Sequence, residues 1–229
     1  MALAALKKQV ESVFGEYLGW QFRPQPELVR SGVPEIDDAT GGLPRGCLTE
    51  IYGPASSGRT SLLLAILAEA TARDEVCALV DTEDSLDPVS AAEAGVRLSR
   101  LLWIRCGHQT EQALKAADLL IQGGGFGLVA MDLGDTPPES ARRISLTSWF
   151  RLRRAVEHTP AVLVTVGRQS YAKTCASLVL ECSREREDWS GARGSSRLLR
   201  GIGVRATSTD RSKACSPVFT APVFTARAI

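Results

Sequence analysis

Apolar residues at Leu3, Leu6, Val10, Val13, Phe14 and Leu18 recur mostly at intervals of three or four, which predicts an amphipathic helix over the first 18 residues. The following segment, GWQFRPQPELVRSG, carries Gly19, Pro24, Pro26 and Gly32, and these impose an extended linker in place of a tight helical hairpin. Beyond it, short apolar runs alternate with longer amphipathic ones. CLTEIYG, CALVDTE, LLWIRC, FGLVAMDL, AVLVTVG and CASLVLEC read as strands; SLLLAILAEATARD, SAAEAGV, TEQALKAADLLIQG and SLTSWFRLRRAVEH read as helices. This alternation predicts an α/β fold with a mainly parallel central sheet flanked by helices on both faces. SSRLLRGIGVRATSTD reads as antiparallel additions near the C-terminus. PVFTA occurs twice, at 217 and 222, too small a unit to define a repeat architecture. The expected organisation is a helix and linker over 1–30, an α/β domain over 31–216 and an extended or flexible tail over 217–229.

Composition narrows the class. The chain has 229 residues and 24.6 kDa, with 44% hydrophobic and 23% charged residues, as in one soluble globular domain. Its apolar runs are strand-sized and its opening is polar, so a cytoplasmic protein with no membrane span or signal peptide is expected. Six cysteines, several inside apolar runs, read as buried reduced thiols, and their spacing does not predict a zinc site. The net charge of +1 conceals an asymmetry: residues 1–141 carry 11 Lys or Arg against 20 Asp or Glu, whereas 142–229 carry 16 against 6. The two halves attract each other or a neighbour's opposite half, and the basic part can also meet a polyanion.

The candidate chemistry centres on GPASSGRTS, residues 53–61, between a predicted strand and a predicted helix. Gly53 and Gly58 allow the backbone to curl around a phosphate, with N–H groups and the helix's positive end turned inward. Thr60 supplies a hydroxyl for magnesium. Arg59 stands where such loops usually carry Lys; it keeps the charge, but its planar fork reaches differently. The other reading of this segment is a strand-turn-helix junction without nucleotide. Asp132 closes GLVAMD, where an acid can hold magnesium, and Glu83 lies beyond CALVD, where a carboxylate can orient an attacking water; both residues also suit ordinary strand-end turns.

Four segments in order, SGVPEIDDATGGLPRG, LTEIYGPASSGRTSLLLAILAEA, CALVDTEDSLDPVSAAEAGV and LVAMDLGDTPP, resemble the core of the bacterial RecA recombinase family, most nearly its short RecA-like, ImuA-type mutagenesis accessory proteins. The resemblance implies a RecA-type P-loop NTPase core with ATP and Mg2+ as cofactors. It places Gly53, Ser56, Ser57, Gly58, Arg59, Thr60 and Ser61 on the phosphate loop, Glu83 and Arg59 in catalysis, and Thr60 and Asp132 at the metal. Asp87 falls where the family contacts adenine, and Ser90 where it presents a stacking ring that a serine cannot supply. Lys173 resembles a lysine beside the family's subunit interface, and Arg211 and Lys213 resemble residues that reach a neighbour's nucleotide.

The departures are as informative. The family's long Gly-rich DNA loop is cut to GRQSYA, residues 167–172, with Gly167 in place of a relay glutamine, and the loop after Asp132 is also short. These departures argue against a homology-search recombinase, and the ImuA-type resemblance implies an accessory protein of DNA repair and SOS-induced translesion mutagenesis, with weak or slow ATP use. Its expected partners are a RecA-like or error-prone-polymerase-associated protein, or a second copy, engaged through residues 1–24; weak single-stranded DNA binding is also expected. The alternatives are an ATP-dependent, single-stranded-DNA-binding recombinase-like ATPase and a structural protein with a vestigial P-loop.

Overall fold

The computed structural model describes residues 26–190, 198–208 and 218–222, with side chains over 26–184. The amphipathic helix expected over 1–18, and Arg211, Lys213 and Cys215, lie outside the described residues. In chain order the elements are β1 (Leu28–Val29), α1 (Pro34–Thr40), β2 (Leu43–Pro44), β3 (Cys47–Tyr52), α2 (Arg59–Ala72), β4 (Cys77–Asp81), α3 (Pro88–Glu93) and β5 (Leu101–Arg105). Then come α4 (Thr110–Gly123), β6 (Leu128–Asp132), α5 (Pro138–Arg142), α6 (Leu146–Val156), β7 (Val162–Gly167), β8 (Leu178–Ser190), β9 (Leu198–Ser208) and β10 (Val218–Pro222).

An eight-stranded sheet in the order β10-β9-β8-β3-β7-β6-β4-β5 organises the domain. The pairs from β8 through β5 are parallel, whereas β9 pairs antiparallel with both β8 and β10. The expected mainly parallel sheet with antiparallel additions is therefore present. Val218–Pro222, assigned by sequence to the tail, extends the sheet as β10.

The buried runs arise because each central strand has two covered faces. On β7, Val162, Val164 and Val166 pack into a cluster with Ile36, Leu62, Ile66 and Leu67, while Leu163 enters a second cluster with Leu48, Met131, Trp149 and Leu152. The second cluster lies under α4 and α6. Ser145 caps α6 by accepting the Ser148 N–H at 3.1 Å, which satisfies one of the donors left open at a helix start. Trp149 is 1% exposed and packs into this cluster; its neighbour Phe150 is 44% exposed because it falls off the buried stripe of the same helix.

Register decides where chemistry can occur. Asp81 of β4 pairs across to Asp132 of β6, Asp132 to Val166 of β7, and Gly167 of β7 to Tyr52 of β3. The ends of four parallel strands are thus level, and the segments 53–58, 82–87, 133–137 and 168–172 leave one edge together. Open α/β sheets place their ligands outside this carboxyl edge.

Leu67 tests the core assignment. Leu67→Ala should lower the unfolding free energy by about 2–5 kcal/mol, whereas Leu119→Ala, at a side chain 69% exposed, should change it by less than about 0.5 kcal/mol in urea titrations. Equal effects would reject this packing.

Candidate nucleotide-phosphate site

The loop between β3 and α2 is shaped by close approach. A Cβ on Gly53 would lie 2.2 Å from the Cys182 carbonyl oxygen of β8 and 2.7 Å from Ser57 Oγ, so only glycine fits. Gly58 adopts φ 88° and directly precedes the first residue of α2. The 14-residue helix then presents the unpaired N–H groups of its first turn toward the loop. Ser57 is buried, and its hydroxyl has no partner among the described residues. Ser56 and Thr60 are exposed and Ser61 is half-buried.

Arg59 does not behave as a surface cation. It is 6% exposed, and its Nη1 donates to the Gly134 carbonyl at 3.2 Å. Arg168 Nε donates to the same oxygen at 3.1 Å, and Arg168 Nη2 reaches Asp135 Oδ1 at 3.5 Å. The N–H of the same residue, Gly134, donates to Asp132 Oδ1 at 2.7 Å. Burial lowers the Arg59 pKa; the charges of Asp132 and Asp135 oppose this, and nearby Arg168 adds to it. Asp132 is pushed up to about 6, chiefly by burial, with the Gly134 hydrogen bond and Arg59 opposing and Asp81 contributing in the same direction as burial.

Glu83, expected to orient a water, is engaged. Its Oε2 lies 2.5 Å from His108 Nδ1. Asp81 builds the turn behind it, accepting from the backbone N–H groups of Glu83, Ser85 and Leu86, from the Ser85 hydroxyl and from Trp103 Nε1. Asp87, placed by resemblance at the adenine, caps α3: it accepts from the N–H groups of Val89 and Ser90 and, at 2.5 Å, from the Ser90 hydroxyl.

The connection after β7 is fixed from below. Glu50, 2% exposed in the middle of β3, accepts from Ser170 Oγ at 2.6 Å, Tyr171 N at 2.6 Å and Ala172 N at 2.8 Å. Sequence reasoning passed over Glu50, although one acid in the apolar run CLTEIY was a legible signal. It also passed over Arg168, Asp81 and His108. For Arg168 there was no signal, since its partner Gly134 lies 34 residues away in sequence.

The residues present fit a nucleotide's phosphates better than they fit a magnesium ion. The curled loop, the start of α2, the unpartnered Ser57 hydroxyl and Arg59 together suit an anion. Thr60 and Asp132, the pair expected at the metal, are separated in character: Thr60 is exposed, whereas Asp132 is buried, commits Oδ1 to Gly134 and has the Arg59 guanidinium nearby. Unit charges about 4 Å apart interact by about 4 kcal/mol near a protein surface, and a dication doubles the repulsion from a guanidinium.

The fold is that of a RecA-type P-loop NTPase core, and similarity to known proteins agrees. The family profile described as the RecA N-terminal domain matches residues 1–136. The chain is 40% identical over 139 residues to Protein RecA of Ectopseudomonas oleovorans, covering 57% of this chain and 39% of that protein. It is 42% identical over 138 residues to Protein RecA of Rhodopseudomonas palustris, with the same coverages. Against Protein RecA of Rickettsia massiliae it is 32% identical over 187 residues, covering 73% of this chain and 54% of that protein. The chain belongs to the RecA family and spans about half the length, or less, of these relatives.

Two outcomes test this geometry. Glu50→Ala should cost about 3 kcal/mol of stability, because each buried donor left unpaired costs about 1–3 kcal/mol, and it should speed amide exchange at Tyr171 and Ala172; unchanged exchange would reject the anchor. His108 is held above the ordinary imidazole range by its hydrogen bond to Glu83 and then by that carboxylate's charge. Its contribution to stability is therefore complete below the unfolded value of about 6.5 and is lost as pH rises through the raised folded value. An NMR titration should place His108 above about 6.5 in the wild type and close to it in Glu83→Gln; an unshifted wild-type ring would reject the pairing.

Proposed function

We propose that this chain is a short, ImuA-type accessory protein of DNA repair and damage-induced mutagenesis, binding ATP weakly, turning it over slowly and working through protein–protein contacts. The observation that carries this reading is the Glu50 anchor. A RecA recombinase's second DNA loop must respond to nucleotide state. Here the corresponding segment is GRQSYA, residues 167–172, and three of its groups bond a buried carboxylate. Slow turnover follows from Glu83, whose carboxylate bonds His108, and from Arg59, whose guanidinium bonds Gly134. Weak adenine selection follows from Asp87 capping a helix beside a serine.

Protein contact falls to residues 1–24, whose apolar stripe suits a second copy or a RecA-like or polymerase-associated partner. Single-stranded DNA, where bound, meets a basic surface that includes the exposed Arg142, Arg143 and Arg154; Arg151 is partly committed to Asp118. Such contact is electrostatic and weakens with salt. No helix among the described residues is long and apolar enough to cross a membrane.

ATP turnover with and without single-stranded DNA separates this reading from a recombinase-like ATPase. The expected result is slow hydrolysis that DNA changes by less than a factor of about two, because the connection that would relay DNA binding is held by charge-assisted hydrogen bonds. Strong stimulation by DNA would favour the recombinase-like ATPase and reject the accessory reading.

A further inference from the structure

We propose that Arg59 and Arg168 form a two-guanidinium phosphate clamp that replaces a divalent cation, so that the 53–58 loop takes up a nucleotide's polyphosphate in its metal-free form. This rests on the nucleotide reading of the loop and goes beyond it by naming the counter-charge and the chemical form of the ligand.

The first observation is a buried cation with no direct ion pair among the described residues. Arg59 is buried, yet its one hydrogen bond within the described residues goes to a neutral oxygen, the Gly134 carbonyl, at 3.2 Å. A guanidinium has five N–H donors and stays charged at any physiological pH. Asp132, the nearby acid, bonds Gly134 N–H and not Arg59. Asp132 and Asp135 offset the charge of Arg59 without bonding it, and a buried guanidinium whose remaining donors meet no anion directly is costly.

The second observation is convergence. Arg168 bonds the same carbonyl oxygen at 3.1 Å, so two guanidinium groups meet at one neutral acceptor beside the phosphate loop. Asp135 reaches Arg168 only at 3.5 Å. Two planar forks approaching one point suit the oxygens of a phosphate chain, which accept paired N–H donors. The third is the Ser57 hydroxyl, buried in the same loop without a partner and able to donate to the same anion. Where other P-loop sites place a dication, this one already holds cationic side chains. A magnesium-bound nucleotide brings two further positive charges to that place and binds no better than the free polyanion.

Isothermal titration of the full chain with ATP, and with inorganic tripolyphosphate as a base-free probe, tests the clamp in magnesium and in EDTA. The expected result is wild-type affinity in EDTA equal to or above that in magnesium. Arg168→Gln should lose about tenfold in EDTA, in line with one charge-assisted hydrogen bond. Arg59→Lys, with a compact ammonium, should restore a preference for the magnesium form. Wild-type binding that drops tenfold or more in EDTA overturns the clamp while leaving the nucleotide reading intact. Metal-independent binding that neither substitution alters also overturns the clamp. Absence of binding for both probes in both buffers overturns the nucleotide reading and the clamp with it.

Discussion

A buried guanidinium is the constraint around which the site is arranged. The first residue of α2 enters the domain at the point where four strand ends are level, so any side chain there is shut away from bulk water. A lysine at that position can remain a compact point charge on a flexible stem. An arginine must place a wide planar group. In this chain the group crosses to the segment after β6 and donates to the Gly134 carbonyl, while the N–H of the same residue donates to Asp132. One residue, Gly134, therefore keeps cation and anion in order through its two backbone groups, and the positions of Arg59, Asp132 and Arg168 are mutually dependent.

A second carboxylate does comparable work from inside the sheet. Glu50 stands on β3 beneath the connection that follows β7, and it is affordable there only because hydroxyl and backbone donors converge on it. The short segment GRQSYA makes that possible: a long loop would leave on a wide path, whereas residues 168–172 turn back over β3. Loop length and the buried acid are two parts of one arrangement. Removing the acid alone leaves the donors buried and unpaired, so the pair is expected to act as a unit.

Much of this was legible in the sequence, for a physical reason. Apolar runs such as CALVD and AVLVTVG mark strands covered on both faces, and the glycines of GPASSGRTS mark a turn that only glycine can make. Both are local signals. What was not legible was how each carboxylate and guanidinium resolves its burial, because that depends on partners far away in sequence. Asp87 reads as a ligand contact by resemblance, yet a carboxylate one residue before a Pro-initiated helix is also an N-cap, and here it bonds its own helix. Phe150 reads as core by type, yet helical periodicity turns it off the stripe that buries Trp149, Leu152 and Val156. Glu83 was located by its strand end, but its partner His108 comes from the turn after β5.

These separate bonds bear on what a nucleotide can do in such a domain. A P-loop protein that transmits nucleotide state needs parts whose positions differ little in free energy, so that contact with a terminal phosphate decides between them. In this chain each part that faces the loop already has a protein partner: Glu83 has His108, the 168–172 segment has Glu50, and Arg59 has Gly134. Hydrogen bonds to charged groups are worth about 1.5–3 kcal/mol each, and coupling free energies between sites are typically about 1–3 kcal/mol, so breaking even two of these bonds consumes what a bound phosphate can supply. Arg59 is the weakest held of the three, since its acceptor is neutral. On the nucleotide reading proposed above, a phosphate shifts Arg59 before it shifts either of the others, and its effect stays local to the loop while the face above β3 keeps its shape. A domain of that kind is better suited to presenting a fixed surface to a partner than to cycling between states.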